Sequence, residues 1–479
     1  MSYKNNRQYI EALKKTGDVL SIKREVDWEL EAGAMVRLAN ETRGPATFFE
    51  NIKDYPPGYR IFGGPLTTQR RLCIAFGFAP DTHLKKVYDE YERRILHPLP
   101  PVLVDRAPCK ENILSGNDVD LFRFPIPLVH EGDGGRFIGT WNIVVVKDPE
   151  SNWTNWGMYR SMVQNRRATS LALHMGNDAG RIYYSRFAPL KKTMPVAIVI
   201  GADPLSSLCA AIRFPSGQSE VEFAGGLNRE PVELVECETS DLLVPAQAEV
   251  ILEGEYTSDC LAPEGPFGEF TGYRTEWKWK EVLRIKSITF RNDPILTLVN
   301  PGIPLSEGAI GPGMGRAVNL KRELRACGVP VVDVYIPPEM ATMLAIVSIE
   351  KLNQSNLATR VKNVILAHDS FAQKIIVVDH DVDVFNLTDV FHTFATRLHP
   401  GRGISIEPKD RAMNLSPFLS NEERKMGKGA AVLFDCTWPS DWYTSYDIPP
   451  RISFRDSYPP ELQERIIKEW KITDSNKKE

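Results

Sequence analysis

No stretch of the 479 residues stays apolar for the roughly 20 positions a membrane-crossing helix takes. The opening residues, Met1 to Asn6, lead into a polar helical pattern and hold no apolar signal core. Those two absences predict a cytoplasmic protein with no membrane partner. Charge is nearly balanced: 58 Lys and Arg against 62 Asp and Glu give a formal −4, which offers no electrostatic ground for a nucleic-acid partner. The seven cysteines are scattered and none forms a C-x-x-C pair. An odd, unpatterned set fits a reducing compartment and argues against a thiolate zinc site. There is no G-x-G-x-x-G after a strand and no Walker A sequence, so neither a dinucleotide fold nor a P-loop is supported, and the Gly132-Asp133-Gly134-Gly135 run gets no such role. Repeats and low-complexity tracts are missing too.

What is present is ordinary for a globular protein, 42% hydrophobic and 25% charged, in a chain too long for one core. Helical spacing over 5–15, 30–41 and 82–96, with strands at 19–22 and 46–49, predicts a small N-terminal α/β unit. His97-Pro98-Leu99-Pro100-Pro101 reads as an extended linker. Beyond it, β-branched runs at 141–147, 194–200, 232–237, 246–256, 282–290 and 295–299 predict a barrel or sandwich. After about residue 315 the pattern alternates: helices at 316–327, 357–368 and 389–398, strands at 331–335, 344–349 and 374–378. An amphipathic helix is expected over 460–471, with Leu462, Ile466, Ile467 and Trp470 on one face. Gly311-Pro312-Gly313-Met314-Gly315 reads as a linker ahead of the helix at Arg316. Asp379-His380-Asp381-Val382-Asp383 lacks the glycine and terminal glutamate of a calcium loop and reads as a strand-to-helix turn with capping aspartates.

Three stretches in the strand-rich middle carry chemistry. Pro263-Glu264-Gly265-Pro266-Phe267-Gly268-Glu269 cannot be helical, because Pro266 and the glycines forbid it. A turn there can fold Glu264 and Glu269 toward one site, where two carboxylates push their pKa values apart and one stays protonated. The plainer alternative is a hairpin connection with two solvated glutamates. Asn155-Trp156-Gly157-Met158-Tyr159-Arg160 offers a guanidinium fork for a carboxylate, or else a surface arginine at a strand end. Asn155, His174 and Glu220 form a mixed oxygen and nitrogen set that suits manganese or magnesium completed by phosphate and water.

These motifs resemble the UbiD-type decarboxylases, which use prenylated FMN. The matching pieces are the two runs 155–160 and 263–269, Gly201 to Pro204, Ser219-Glu220 with Phe223 to Gly225, Asp241 to Ala246, Glu249 to Gly254, Asp379 to Asn386 and Thr396 to Pro400. They follow family order over most of the chain. The resemblance implies a mixed α+β fold: an N-terminal α/β unit (1–110), a central split β-barrel that binds the flavin (111–312) and a C-terminal α/β domain used in oligomerisation (313–479). It implies a catalytic trio of Arg160, Glu264 and Glu269, and a manganese ion on Asn155, His174 and Glu220 that bridges to the flavin phosphate. A potassium ion on backbone carbonyls is implied beside it. Gly157, Met158, Tyr159, Arg160 and Leu173 would flank the cofactor, and Ile310 would line the substrate pocket. Many members place glutamine where Leu173 stands. Many also carry a lysine four residues before the aspartate matched by Asp435; that position is Ala431 here, and Lys428 is the substitute. The activity implied is reversible non-oxidative decarboxylation of a hydroxybenzoate-like acid through a covalent flavin adduct. The rivals are a phthalate-type or heteroaromatic acid or its thioester, and a non-catalytic scaffold subunit. The expected partners are a flavin prenyltransferase that supplies the cofactor and further copies of the chain, from dimer to hexamer.

Overall fold

The computed structural model describes residues 3–303, 305–350, 356–410, 412–413, 415–442 and 446–475. Among these, no helix is long and apolar enough to cross a membrane. The architecture is mixed α/β. A four-stranded sheet in the N-terminal segment runs Val19–Val26, Ala46–Ile52, Arg60–Gly63, and is completed by Ile295–Leu298 from far along the chain.

A nine-stranded, curled sheet forms the centre. Its order is Phe137–Gly139, Ser161–Asn165, Ala168–Leu171, Lys278–Phe290, Val250–Glu264, Met194–Ile200, Asn142–Lys147 and Thr154–Gly157, with Asn112–Ser115 pairing onto Lys278–Phe290. Both faces of its middle strands are covered. Ile143 and Val145 enter one apolar cluster while Val144 and Val146 enter another, and Val199 and Ile198 divide in the same way. That is why these strands read as unbroken apolar runs rather than alternating ones. The first cluster runs from Tyr9 and Phe62 through Trp156 to Ile346 and Ile376, so the N-terminal, central and C-terminal segments share one core.

The C-terminal sheet orders Val331–Tyr335, Leu344–Ile349, Lys374–Asp379, Lys428–Asp435 and Ile404–Asp410. Two expectations need correction here. The glycine run 311–315 is not a linker: it lies inside the helix Glu307–Ala326. A Cβ on Gly313 would stand 2.9 Å from the Ile336 carbonyl oxygen, and one on Gly315 would stand 2.5 Å from Ile212 Cγ2. Gly311 and Gly315 pack on one side of the helix against Leu208 and Ile212, Gly313 packs on the opposite side against Ile336, and that close packing outweighs their poor helix propensity and Pro312. The turn after Asp379 is present, but Asn386 caps the helix Leu387–Arg397, while Asp381 pairs with Arg397. The expected terminal helix is present as Pro460–Ser475, with Leu462 and Ile466 half-buried and Ile467 and Trp470 exposed.

Candidate active site

The strand Thr154–Gly157 lies antiparallel to Asn142–Lys147, at one end of the curled sheet. The chain leaves it through Met158, Tyr159 and Arg160 and re-enters the sheet at Ser161. Asn142 Nδ2 donates to the Tyr159 carbonyl at 3.2 Å and fixes this crossing. On the far side, Glu264 is the last residue of the 15-residue strand Val250–Glu264. The chain then turns at Gly265, whose φ of 86° favours glycine. Glu269 is held at the end of the loop by its N–H to the Tyr273 carbonyl, 3.0 Å.

The turn brings both glutamates onto one guanidinium. Arg160 Nε donates to Glu264 Oε1 at 2.6 Å and Nη2 to Oε2 at 2.8 Å, a bidentate fork, while Nη1 donates to Glu269 Oε1. Phe267 lies beneath the guanidinium, 5.1 Å from its centroid to Arg160 Cζ, and rests on Phe137. The two acids are not equivalent. The Glu264 side chain is 1% exposed and Glu269 is 16%. Burial pushes the Glu269 pKa up, Arg160 pulls it back and Glu264 pushes it up again, so that it ends above the ordinary carboxylate value. Burial lowers the Arg160 pKa, but its bonds and attraction to the two glutamates more than offset this and raise it. One permanent cation thus faces two acids: Glu264 anchors it and Glu269 is the group poised to carry a proton.

Asn155 and Glu220 also meet. Glu220 opens the helix Glu220–Asn228, and its oxygens accept from Asn155 Nδ2 at 3.0 Å and Trp156 N at 2.8 Å. Burial, only partly offset by these bonds, raises the Glu220 pKa to about 7. A buried carboxylate whose hydrogen bonds come from uncharged groups is the donor a divalent cation completes. His174 makes a local bond, its Nδ1 accepting from Gly176 N at 3.1 Å. Burial and the Lys280 charge lower its pKa and favour the neutral, metal-binding form. Asn155 and Glu220 supply a buried oxygen pair suited to a hard cation, and His174 supplies an imidazole in its neutral form.

Among the other expected residues, Tyr159 reaches the Asn155–Glu220 pair. Tyr159 Oη donates to Asn155 Oδ1 at 3.5 Å, and its ring covers Gly157, where a Cβ would lie 2.3 Å from the hydroxyl. Met158 is half-buried against the main core. Leu173 is fully buried, and its carbonyl accepts from Lys280 Nζ at 3.0 Å. Ile310 lies 7% exposed in the helix Glu307–Ala326. Lys428 is exposed at the start of its C-terminal strand, paired in register with Asp410. His130 and Asp133 connect to the Glu264–Glu269 loop from more than a hundred residues away, and Asn300 reaches it through His130; no local feature of the sequence marks these partners.

Family models for the 3-octaprenyl-4-hydroxybenzoate carboxy-lyase N-terminal, Rift-related and C-terminal domains match residues 10–91, 102–304 and 313–436. Pyrrole-2-carboxylic acid decarboxylase of Pseudomonas aeruginosa is 32% identical over 97% of both chains. The chain belongs to the UbiD family of carboxy-lyases. Among solved UbiD relatives, vanillic acid decarboxylase of Sedimentibacter hydroxybenzoicus in open form matches 99% of this chain and 100% of its own, with 29% identity and a TM-score of 0.86. An evolved dimeric form of the UbiD-class enzyme HmfF from Pelotomaculum thermopropionicum, in complex with prFMN, matches 96% of this chain and 99% of its own, with 25% identity and a TM-score of 0.81. The UbiD family is one of decarboxylases, and this chain carries its three domains in order.

Proposed function

We propose that this protein is a prenylated-FMN-dependent decarboxylase of an aryl carboxylic acid of the hydroxybenzoate class, acting reversibly. The observation that supports it best is the shared guanidinium: Arg160 binds Glu264 through two nitrogens and Glu269 through the third. Removing carbon dioxide from an aromatic ring leaves charge in an sp² orbital that cannot delocalise, and side chains supply no electron sink. The bound flavin is what supplies that sink. The chain's own residues do the rest. A guanidinium has five N–H donors, and three are engaged here, so two remain to orient a substrate carboxylate. Glu264 keeps the guanidinium in place. Glu269, its pKa raised, delivers a proton to the ring carbon that loses carbon dioxide and can take it back in the reverse direction.

Asn155, His174 and Glu220 are assigned to a manganese ion that neutralises the flavin phosphate, with potassium on nearby backbone carbonyls and Lys428 as a second phosphate partner. Gly157, Met158, Tyr159 and Leu173 flank the cofactor, and Ile310 is assigned to the substrate wall. A flavin prenyltransferase supplies the cofactor. The enzyme works in the cytoplasm as a homo-oligomer. A heteroaromatic acid is the second reading, favoured by the 32% identity to a pyrrole-2-carboxylate decarboxylase. A scaffold subunit has no use for the three-residue cluster.

The test is protein co-produced with a flavin prenyltransferase, read by its visible spectrum and by carbon dioxide release from a panel of hydroxybenzoates, cinnamates and pyrrole-2-carboxylate. A coloured protein that decarboxylates one class is expected; a colourless protein inert to all of them overturns the proposal. Glu220→Ala should lose manganese and flavin together, measured by elemental analysis and absorbance. Full flavin occupancy in that variant removes Glu220 from the ligand set.

A further inference from the structure

The Glu264–Glu269 loop is held from outside by a buried polar relay that the sequence motifs do not contain. Asp133 is fully buried at its side chain. Its Oδ1 accepts from Gly268 N at 3.2 Å, one residue before Glu269, and lies 3.9 Å from Arg274 Nε. Its Oδ2 accepts from His130 N at 3.2 Å and faces His130 Nδ1 at 3.0 Å. The other ring nitrogen, Nε2, meets Asn300 Oδ1 at 2.6 Å, and Asn300 Nδ2 donates to the Gly33 carbonyl at 2.7 Å in the helix Glu31–Glu41. A second tie runs from Gly134 N to the Pro266 carbonyl, 2.8 Å. The His130 ring sits against Gly268 so closely that a Cβ there would be 2.6 Å from Cε1. A chain of bonds from Gly33 through Asn300, His130 and Asp133 therefore ends on the Gly268 peptide N–H.

We propose that Asp133, oriented by His130 and Asn300, is a positioning residue for decarboxylation: by accepting from Gly268 N it sets where the Glu269 carboxyl stands relative to Arg160. This rests on the assignment of Glu269 as the proton carrier. The loop contains two glycines and a proline, and among the described residues its internal braces are the bonds of Phe267 with Thr275, of Glu269 with Tyr273 and Gly272, and the bridge of Gly268 with Arg274. An acceptor that is buried and held on both oxygens cannot drift, so its hydrogen bond fixes the loop rather than following it. Neither Asp133 nor His130 hydrogen-bonds the Arg160 cluster, so they act through the backbone alone.

The experiment compares Asp133→Ala, Asp133→Asn, His130→Ala and Glu269→Gln in the cofactor-loaded protein, using the panel acid that the parent decarboxylates fastest. Asp133→Asn keeps an acceptor for Gly268 N and should retain turnover within about threefold, whereas Asp133→Ala should lower kcat about 100-fold with KM nearly unchanged. Amide hydrogen exchange over 265–275 should speed up in Asp133→Ala and not in Asp133→Asn. His130→Ala, which loosens Asp133 without removing it, should lie between the two and covers the case in which Asp133→Ala does not fold. Parent-like kcat and exchange in Asp133→Ala, or in a folded His130→Ala, overturns the proposal while Glu269→Gln remains inactive. An active Glu269→Gln overturns the proton-carrier assignment and this proposal with it. A loss in Asp133→Asn equal to that in Asp133→Ala shows that the charge, not the Gly268 bond, is what matters, and also overturns it.

Discussion

Arg160, Glu264 and Glu269 show how position divides identical side chains into different roles. Glu264 is sealed and held at both oxygens; Glu269 keeps one oxygen outside the guanidinium bond. A second buried acid, Glu307, obeys the same physics in a structural setting. It is 0% exposed, and its Oε1 accepts from Leu66 N at 3.3 Å and meets Thr67 Oγ1, which lies 3.0 Å from Asn40 Oδ1. The Thr67 hydroxyl has one proton for two oxygens, so a protonated Glu307 completes the pattern. Burial, only partly offset by its hydrogen bonds, raises the Glu307 pKa. The folded form then holds the proton more tightly than the unfolded chain. Stability is full below the unfolded carboxylate pKa and falls as pH rises through the folded value. Glu307→Gln should therefore unfold at a higher temperature than the parent at neutral and alkaline pH, with the gap closing toward pH 4. A melting-temperature series across pH checks this, and a gap that widens in acid contradicts it.

At the scale of elements, the sequence revealed what is long and apolar and hid what is short and polar. Met194–Ile200, Leu344–Ile349 and Leu357–His368 stand where periodicity places them. The strands Thr154–Gly157, Ser161–Asn165 and Ala168–Leu171 went unread, because they are four or five residues long and rich in Thr, Ser, Asn and Gln. They are nevertheless the strands that flank Arg160. The site loop was readable as a turn, and its two acids as a pair, because glycine and proline leave little choice. Its anchorage by Asp133 was not, since nothing local in Gly132 to Gly135 records a partner at Gly268. The helix Glu307–Ala326 is the sharpest failure of local reasoning: Gly311, Gly313 and Gly315 look like a break and act as close-packing points on two opposite sides of the helix. Gly315→Val should cost about 1–3 kcal/mol by forcing Ile212 off its packing position. Chemical denaturation measures this, and an unchanged midpoint would return the run to the status of a spacer.

Across the whole molecule, the three segments share an apolar core, and the N-terminal sheet is closed by a strand from the centre. The Arg160 cluster and its supports therefore draw on distant parts of the chain: Glu264 from the curled sheet, Arg160 from the crossing between two of its strands, and Asn300 from the stretch after the strand that closes the N-terminal sheet. Ile452 and Trp470 in the tail are 89% and 72% exposed. The convergence of one cation with two acids is the feature on which the functional account rests. Its most direct test is carbon dioxide release by Glu269→Gln holoenzyme, normalised to bound cofactor read from the visible spectrum. The account predicts a fall of at least about 100-fold at unchanged cofactor occupancy, and turnover within about threefold of the parent would contradict it.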